Sequence, residues 1–231
     1  MYKRQIETLL LAHEMRGEER YLAAAKRGGE FLIRAQMPEP QPAWAQQYDK
    51  KMQPVWERKF EPPAVTGGES QGAIEVLLAL FHATGEKRFL APIPAALAYL
   101  EKSELPDGKL ARYYELRTNT PLYVTKDYRL TYDGSEVPDH YAFTTTSKVE
   151  KLKRLYRAAK EGRPPSTGAI PSRNRVREIL GAMNAKGVWL EPGTVRNAAG
   201  KKIAPEGGVV SSRTFAKNLT ALCRYLQAAA K

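Results

Sequence analysis

From Ile6 the apolar positions recur at Leu9, Leu10 and His13, the i, i+3, i+4, i+7 spacing of one helix face. Gly17 stands where such a helix would end on a left-handed residue. A second helix is predicted from about Glu18 through Tyr21, Leu22, Ala25 and Phe31 to Ile33, with Pro38 as its stop. The two make a helical hairpin, and the same hairpin returns 68 positions later. Ile74, Leu77, Leu78 and Phe81 repeat the first face, the run Gly85 to Ala91 repeats Gly17 to Ala23, and Tyr99-Leu100 repeats Phe31-Leu32. Duplicated hairpins predict a repeat architecture in which each unit hides its apolar face against the next. Pro92 and Pro94 are compatible with the second return helix only in its first turn. Because such repeats need about three units for a continuous core, a further hairpin is expected ahead of Met1.

After Lys102 the helical period stops. Asp107-Gly108, Asn119-Thr120-Pro121 and Asp133-Gly134 are turn signals, and the Tyr, Val and Leu between them predict two or three short β segments on a long ordered loop. A basic helix follows over Thr146–Glu161, with Leu152, Leu155 and Tyr156 on one face. GRPPSTGAIPS reads as a linker, residues 172–186 as a short helix, and the stretch before Thr214 as irregular. Thr214–Ala229 is predicted as a closing amphipathic helix on Phe215, Leu219, Leu222, Tyr225 and Leu226. The domain boundaries drawn from this pass are 1–145 for the repeat domain and 146–231 for a basic helical extension.

Charge changes the picture. Lys and Arg number 37 against 25 Asp and Glu, a net +12 over 231 residues, which favours a polyanionic partner: an acidic polysaccharide, a nucleic acid or an anionic membrane surface. No apolar run approaches the ~18 residues of a membrane span. The first residues carry charges that resume at once and no small-residue cleavage site, so they read as an amphipathic helix rather than a signal peptide. A lone Cys223 excludes an intrachain disulfide and any Cys-rich metal site, and in its helical context it is expected to be a small buried hydrophobe.

The chemistry is expected in residues 42–72, where two Trp, a Tyr, a Phe, several Pro, Gly67-Gly68 and both signs of charge fall between helices. Arg58 sits in W-E-R-K-F-E-P-P beside Glu57, Lys59 and Glu61. The prolines stiffen the segment and reduce the entropy lost in fixing a guanidinium on a ligand. Arg112 in A-R-Y-Y-E-L and the Lys126, Asp127, Arg129 set supply further charges among Tyr113, Tyr114, Tyr123, Tyr128 and Tyr132. Guanidinium groups grip carboxylates in a bidentate fashion, and aromatic rings lie against sugar faces or bases. The plainer reading pairs Arg58 with Glu61 across a turn and puts the tyrosines in the core. Glu69 or Ser70 falls near the start of the second hairpin's first helix, as a cap. His13 reads as a core histidine, His82 as a helix-surface one, and His140 in V-P-D-H-Y as the one in a site context. No H-E-x-x-H, P-loop, G-x-S-x-G or Cys/His cluster occurs.

The order W-A-Q-Q-Y-D, P-V-W-E-R-K-F-E-P-P, G-G-E-S-Q-G, A-R-Y-Y-E-L-R-T-N-T-P-L-Y and K-D-Y-R-L-T-Y, over about residues 2–143, resembles the pectate lyases of polysaccharide lyase family 10. The resemblance implies an all-α fold, an (α/α) toroid of helical-hairpin repeats that is incomplete here, with a loop-rich region containing short β segments. It implies calcium-dependent β-elimination of polygalacturonate, an acidic polysaccharide partner, a monomer, and work in a secreted or periplasmic setting. By the same resemblance Arg58 matches the arginine used as the base, and Arg112 one that grips the substrate carboxylate. Trp44, Tyr48, Lys126 and Arg129 are assigned to the same cleft. Glu57 departs from the small residue expected there, and an adjacent carboxylate favours the charged guanidinium. No metal ligand is assigned: the acidic residues that hold Ca2+ are expected upstream of this chain, which leaves the activity of the chain by itself open.

Two other readings stay beside the lyase. One is a non-catalytic helical module that binds an acidic glycan through the same arginines. The other, argued from net charge and the basic helix alone, is a nucleic-acid-binding module, for which no fold signature is present.

Overall fold

The computed structural model describes residues 2–138, 141–164 and 170–229. It divides into two compact units, Met1–Pro165 and Ser166–Lys231.

The first unit opens with the expected hairpin, α1 (Tyr2–Arg16) and α2 (Glu19–Ala35). Its repeat is α3 (Gly67–Thr84), a 3-10 turn at Lys87–Phe89, and α4 (Ile93–Lys102). The duplicated turns use one device. Gly17 (φ 68°) donates its N–H to His13 O at 2.8 Å, and Gly85 (φ 72°) donates to Phe81 O at 2.7 Å; both close a helix on the left-handed backbone that glycine adopts without a Cβ clash. Pro92 caps α4 and Pro94 lies in its first turn, where no helical hydrogen bond is lost.

Helix α3 is the centre of the unit, in contact with α1, α2, α4 and α5 (Val149–Lys160). Its sequence is apolar nearly all round because it is covered on most sides: Ile74, Val76, Leu77 and Leu80 have no exposed surface. Burial of each such side chain stabilises the unit by about 1.5–3 kcal/mol. The basic helix α5, assigned from sequence to the extension, packs here on α3 and α4, and Leu152 is fully buried.

The all-α expectation is overturned by three sheets among the described residues. In the first unit β1 (Ala64–Thr66), β3 (Tyr113–Glu115), β4 (Pro121–Val124) and β5 (Leu130–Thr131) form an antiparallel sheet in the order β1-β3-β4-β5, with Val65 opposite Tyr114 and Tyr113 opposite Leu122. A second ladder pairs β2 (Lys109–Ala111) with β6 (Thr144–Thr146). The chain is mixed α/β, with a small core of its own beneath the sheet: Ala64, Tyr113, Leu122, Val124 and Phe143. Strands of two to four residues are too short to display a period of two, and β1 lies inside the stretch read as loop.

The second unit contains α6 (Arg173–Gly181), a hairpin of β7 (Val195–Arg196) and β8 (Lys202–Ile203), and α7 (Ser212–Ala229). Ser172 caps α6 by accepting the Arg175 N–H. Trp189 anchors the small core, donating its indole N–H to Ile179 O at 2.7 Å and meeting the Phe215 edge at 6.0 Å between centroids. The face predicted for α7 is not sealed: Phe215, Leu219 and Leu226 are exposed. Cys223, expected to be buried, is exposed as well.

Candidate functional site

Arg112 stands at the one residue between β2 and β3, where the chain leaves one ladder for the other. Its backbone is fixed from both sides: its N–H donates to Phe143 O at 2.7 Å, and its carbonyl accepts the Gly67 N–H at 3.3 Å. Gly67, the first residue of α3, comes so close that a Cβ there would lie 2.4 Å from Ala111 O. The half-buried side chain follows from that placement. Nε donates to Tyr113 Oη at 3.1 Å, and the guanidinium lies over the Tyr141 ring at 4.4 Å. The Tyr113 and Tyr141 hydroxyls are 3.0 Å apart, and Tyr113 also donates to Gln46 Oε1 at 3.3 Å. Burial works against the charge on Arg112, but Tyr113, Tyr141 and Glu69 outweigh it and its pKa is raised. Burial and the Tyr141 hydroxyl push the Tyr113 phenol well above the usual range. The guanidinium is a fixed cation held by phenols.

Arg58 lies on another loop, two residues before Phe60, whose ring stacks on Tyr141. A tight turn, closed by the Glu61 N–H donating to Arg58 O at 2.8 Å, is held stiff by Pro62 and Pro63. Within it Arg58 Nε donates to Glu61 Oε2 at 2.9 Å; the arginine side chain is 74% exposed while the glutamate's is 3% exposed. A buried carboxylate thus holds an exposed guanidinium by Nε. The hydrogen bond to Glu61, its charge and then Glu57 raise the Arg58 pKa, and Tyr141 adds to the shift.

Phe60 completes the surface. Its ring stacks on Tyr141 at 5.2 Å and meets Tyr128 at 4.7 Å with the planes tilted by 38°, and Lys59 Nζ lies 4.5 Å from the Tyr128 centroid. Tyr128 belongs to the β4–β5 turn, where the Thr125 N–H donates to Arg129 O and the Tyr128 N–H to Thr125 O. It has φ 65°, a strained conformation for a bulky side chain that turns its ring to Phe60. Lys126 and Arg129 are exposed on this turn, Arg129 loosely paired with Asp127 at 3.7 Å. The result is a shelf of half-buried Phe60 and Tyr141 and exposed Tyr128, edged by Arg58, Lys59 and Arg112, with Lys126 and Arg129 on the adjoining turn.

Of the sequence-predicted residues, the structure brings Arg58, Arg112 and the Lys126–Arg129 turn together. Trp44 is corrected: it is 2% exposed, with its indole N–H donating to Leu32 O at 2.8 Å, so it supports the loop from beneath and presents no face to a sugar. Tyr48 likewise braces its own loop, the hydroxyl accepting the Ala45 N–H at 2.7 Å and the ring meeting the edge of Phe31. Ser70 does not cap α3; it is buried and exchanges hydrogen bonds with the Trp44 backbone. His13 is half-buried and contacts Glu18 O at 3.2 Å. His82, expected on the surface, is half-buried, and burial lowers its pKa. His140 lies outside the described residues. Tyr141 was missed, and its only signal was an aromatic pair, Tyr141 and Phe143, after a turn. Among the described residues no group of three or more His, Cys, Asp or Glu could hold a metal ion, and no helix is long and apolar enough to cross a membrane.

No protein-family model and no curated protein matches the chain in sequence. Solved structures do match in fold. One is a family 10 polysaccharide lyase from Cellvibrio cellulosa, with 18% identity and a TM-score of 0.54 over 70% of this chain and 60% of that one. Another is a mutant of a family 10 polysaccharide lyase from the same organism in complex with trigalacturonic acid, with 17% identity and a TM-score of 0.55 over 69% and 60%. At such identity the likeness is one of fold: the chain carries a distant resemblance to polysaccharide lyases and spans 60% of the length of these two chains.

Proposed function

We propose that this protein is a pectate-lyase-like enzyme that holds polygalacturonate between Arg58 and Arg112 and cleaves it by β-elimination. The observation that supports the reading is an aromatic shelf carrying an arginine from each of two loops: Arg112 lies over the Tyr141 ring, and Phe60, two residues after Arg58, stacks on the same tyrosine. The trigalacturonic acid bound to a structural neighbour has the matching chemistry, a carboxylate on every sugar.

In the elimination a base takes the proton at C5, the C4–O bond breaks, a double bond forms between C4 and C5, and the leaving oxygen gains a proton. The C5 proton becomes acidic only when the adjoining carboxylate is neutralised, so that charge building on it is stabilised. Arg112 suits that task because it is anchored by backbone and phenols and keeps its charge. The Arg58 side chain is largely exposed while Glu61 holds its Nε, and a guanidinium fork suits a carboxylate. As the proton-accepting group Arg58 is opposed by Glu61 and Glu57, which favour its charged form. Calcium belongs to the lyase reading as a further proposal. The described residues do not fit it, and no ligand or step is assigned to it. A secreted or periplasmic setting, where polymeric pectate is met, completes the proposal.

The buried Glu61 also favours a second reading, a non-catalytic binder of acidic glycan. Ultraviolet absorbance of the unsaturated product, followed with and without added calcium, separates the two. Arg58→Ala is expected to abolish product while weakening trigalacturonate binding only about tenfold. Product-free binding that still depends on Arg58 and Arg112 selects the binder; indifference of both binding and turnover to these arginines sinks both readings.

A further inference from the structure

We propose that the β7–β8 hairpin of the second unit is an anchoring site for an acidic polysaccharide chain. The identity of the polymer rests on the function proposed above, while the cationic surface does not.

Three observations carry it. Residues 166–231 hold eleven Lys and Arg against three Glu, a net of +8 out of the chain's +12 in under a third of its length. Among the described residues of this unit one ion pair forms, Arg175 with Glu178 within a single turn of α6. The hairpin itself sets like charges face to face. Arg196 lies directly opposite Lys202 across the two strands, with Lys201 beside it, and all three are exposed. Like charges opposite one another destabilise a ladder, and a two-stranded hairpin has little stability to lose.

What keeps this shape is the turn. Asn197 Oδ1 accepts the N–H groups of Ala199 and Lys201 at 3.1 and 3.0 Å, and Arg196 Nη1 donates to Gly200 O at 2.7 Å. The geometry is built by backbone and amide contacts, and no carboxylate is supplied to the cations. A repeating polyanion laid along the hairpin supplies that missing countercharge. Residues 195–203 contain no aromatic side chain, so there is no platform on which nucleobases could stack. A polyuronate asks only for charge at intervals. A long chain presents the hairpin with many overlapping binding positions where a short oligosaccharide presents few, which raises avidity for polymer over oligosaccharide.

The test uses the full chain and the triple variant R196Q/K201Q/K202Q. Affinity electrophoresis in gels containing polygalacturonate reads polymer binding, calorimetry with trigalacturonate reads the shelf, and a gel shift with single-stranded DNA reads the competing polyanion. Loss of the three charges is expected to lower polygalacturonate affinity roughly tenfold at low salt and to leave trigalacturonate affinity unchanged. Fully methyl-esterified pectin should show no difference between the two proteins. Unchanged polygalacturonate retardation by a folded triple variant overturns the anchor, and so does hairpin-dependent binding that prefers DNA to polygalacturonate. If instead R58A/R112A leaves trigalacturonate binding intact while the triple variant loses polymer, the functional reading of the shelf fails and the anchor stands.

Discussion

Cations are used differently in the two units. In the first, charge joins one element to another: Glu75 on α3 takes Lys3 from α1 and Lys148 ahead of α5, Lys26 on α2 reaches Glu86, Arg88 bridges Glu30 and Glu86, and Lys153 on α5 reaches Glu101 on α4. Arg58, itself 74% exposed, is held by a buried carboxylate. In the second unit most of the described cations have no carboxylate partner. Guanidinium and ammonium groups that fold a domain are positioned one by one, whereas groups that attract a polymer act by number. Substitutions should therefore have large individual effects in the first unit and small, cumulative ones in the second.

Arg112→Ala tests the first half of that contrast most severely. It removes the cation from the Tyr141 face, takes one donor from the Tyr113 hydroxyl and opens space at a half-buried position. These losses together are worth about 2–3 kcal/mol. Thermal melts should show a drop of several degrees, and trigalacturonate affinity should fall by about two orders of magnitude. Lys217→Gln, on exposed α7, should change neither by more than about twofold. Equal effects from the two substitutions would erase the distinction between the units.

Glu75→Gln sharpens it through pH. Burial acts to raise the Glu75 pKa, but the hydrogen bonds and charges of Lys3 and Lys148 prevail and hold it below the usual carboxylate range. A carboxylate whose folded pKa is depressed contributes stability above its unfolded value and loses that contribution as pH falls through the folded one. The side chain is 16% exposed, but its lysine partners are well exposed, so the contribution is held to about 1 kcal/mol. Melts at neutral pH and at about pH 3 should show the wild-type chain losing more stability on acidification than the glutamine variant.

What was legible in the sequence divides by length scale. The duplicated helical faces and their matched glycines, Gly17 and Gly85, are local patterns, and they could be found by spacing. The Arg58 turn was marked by its prolines and its mixed charge. The sheets were not legible as a fold class, because β1 and β3 are joined by pairing across fifty residues and neither strand is longer than three residues. Trp44 was misplaced because an aromatic among charged residues looks the same from the sequence whether its face is open or its indole N–H is bonded to a helix carbonyl. Tyr141, which lies under Arg112 and against Phe60, could not be singled out from a dozen tyrosines; only the strand crossing at Arg112 brings it there.

The smallest expected effect bears on the second half of the contrast. Arg196 faces Lys202 across the β7–β8 ladder without a described carboxylate partner, and cross-strand pairs are worth about 0.2–1 kcal/mol in either direction. Arg196→Gln should therefore leave stability unchanged or raise it by a few tenths of a kcal/mol, although it also removes the bond to Gly200 O. The gain should shrink as salt is added, since repulsion between exposed charges is screened over about 10 Å at 0.1 M. Hydrogen exchange of the Asn197 and Lys201 amides, which hold the turn, reads the hairpin directly without the rest of the chain. Slower exchange in the variant at low salt, converging on wild type at high salt, fits a hairpin that tolerates repulsion in order to keep its charges available. Faster exchange at every salt concentration would mean that Arg196 serves the turn and not a polymer.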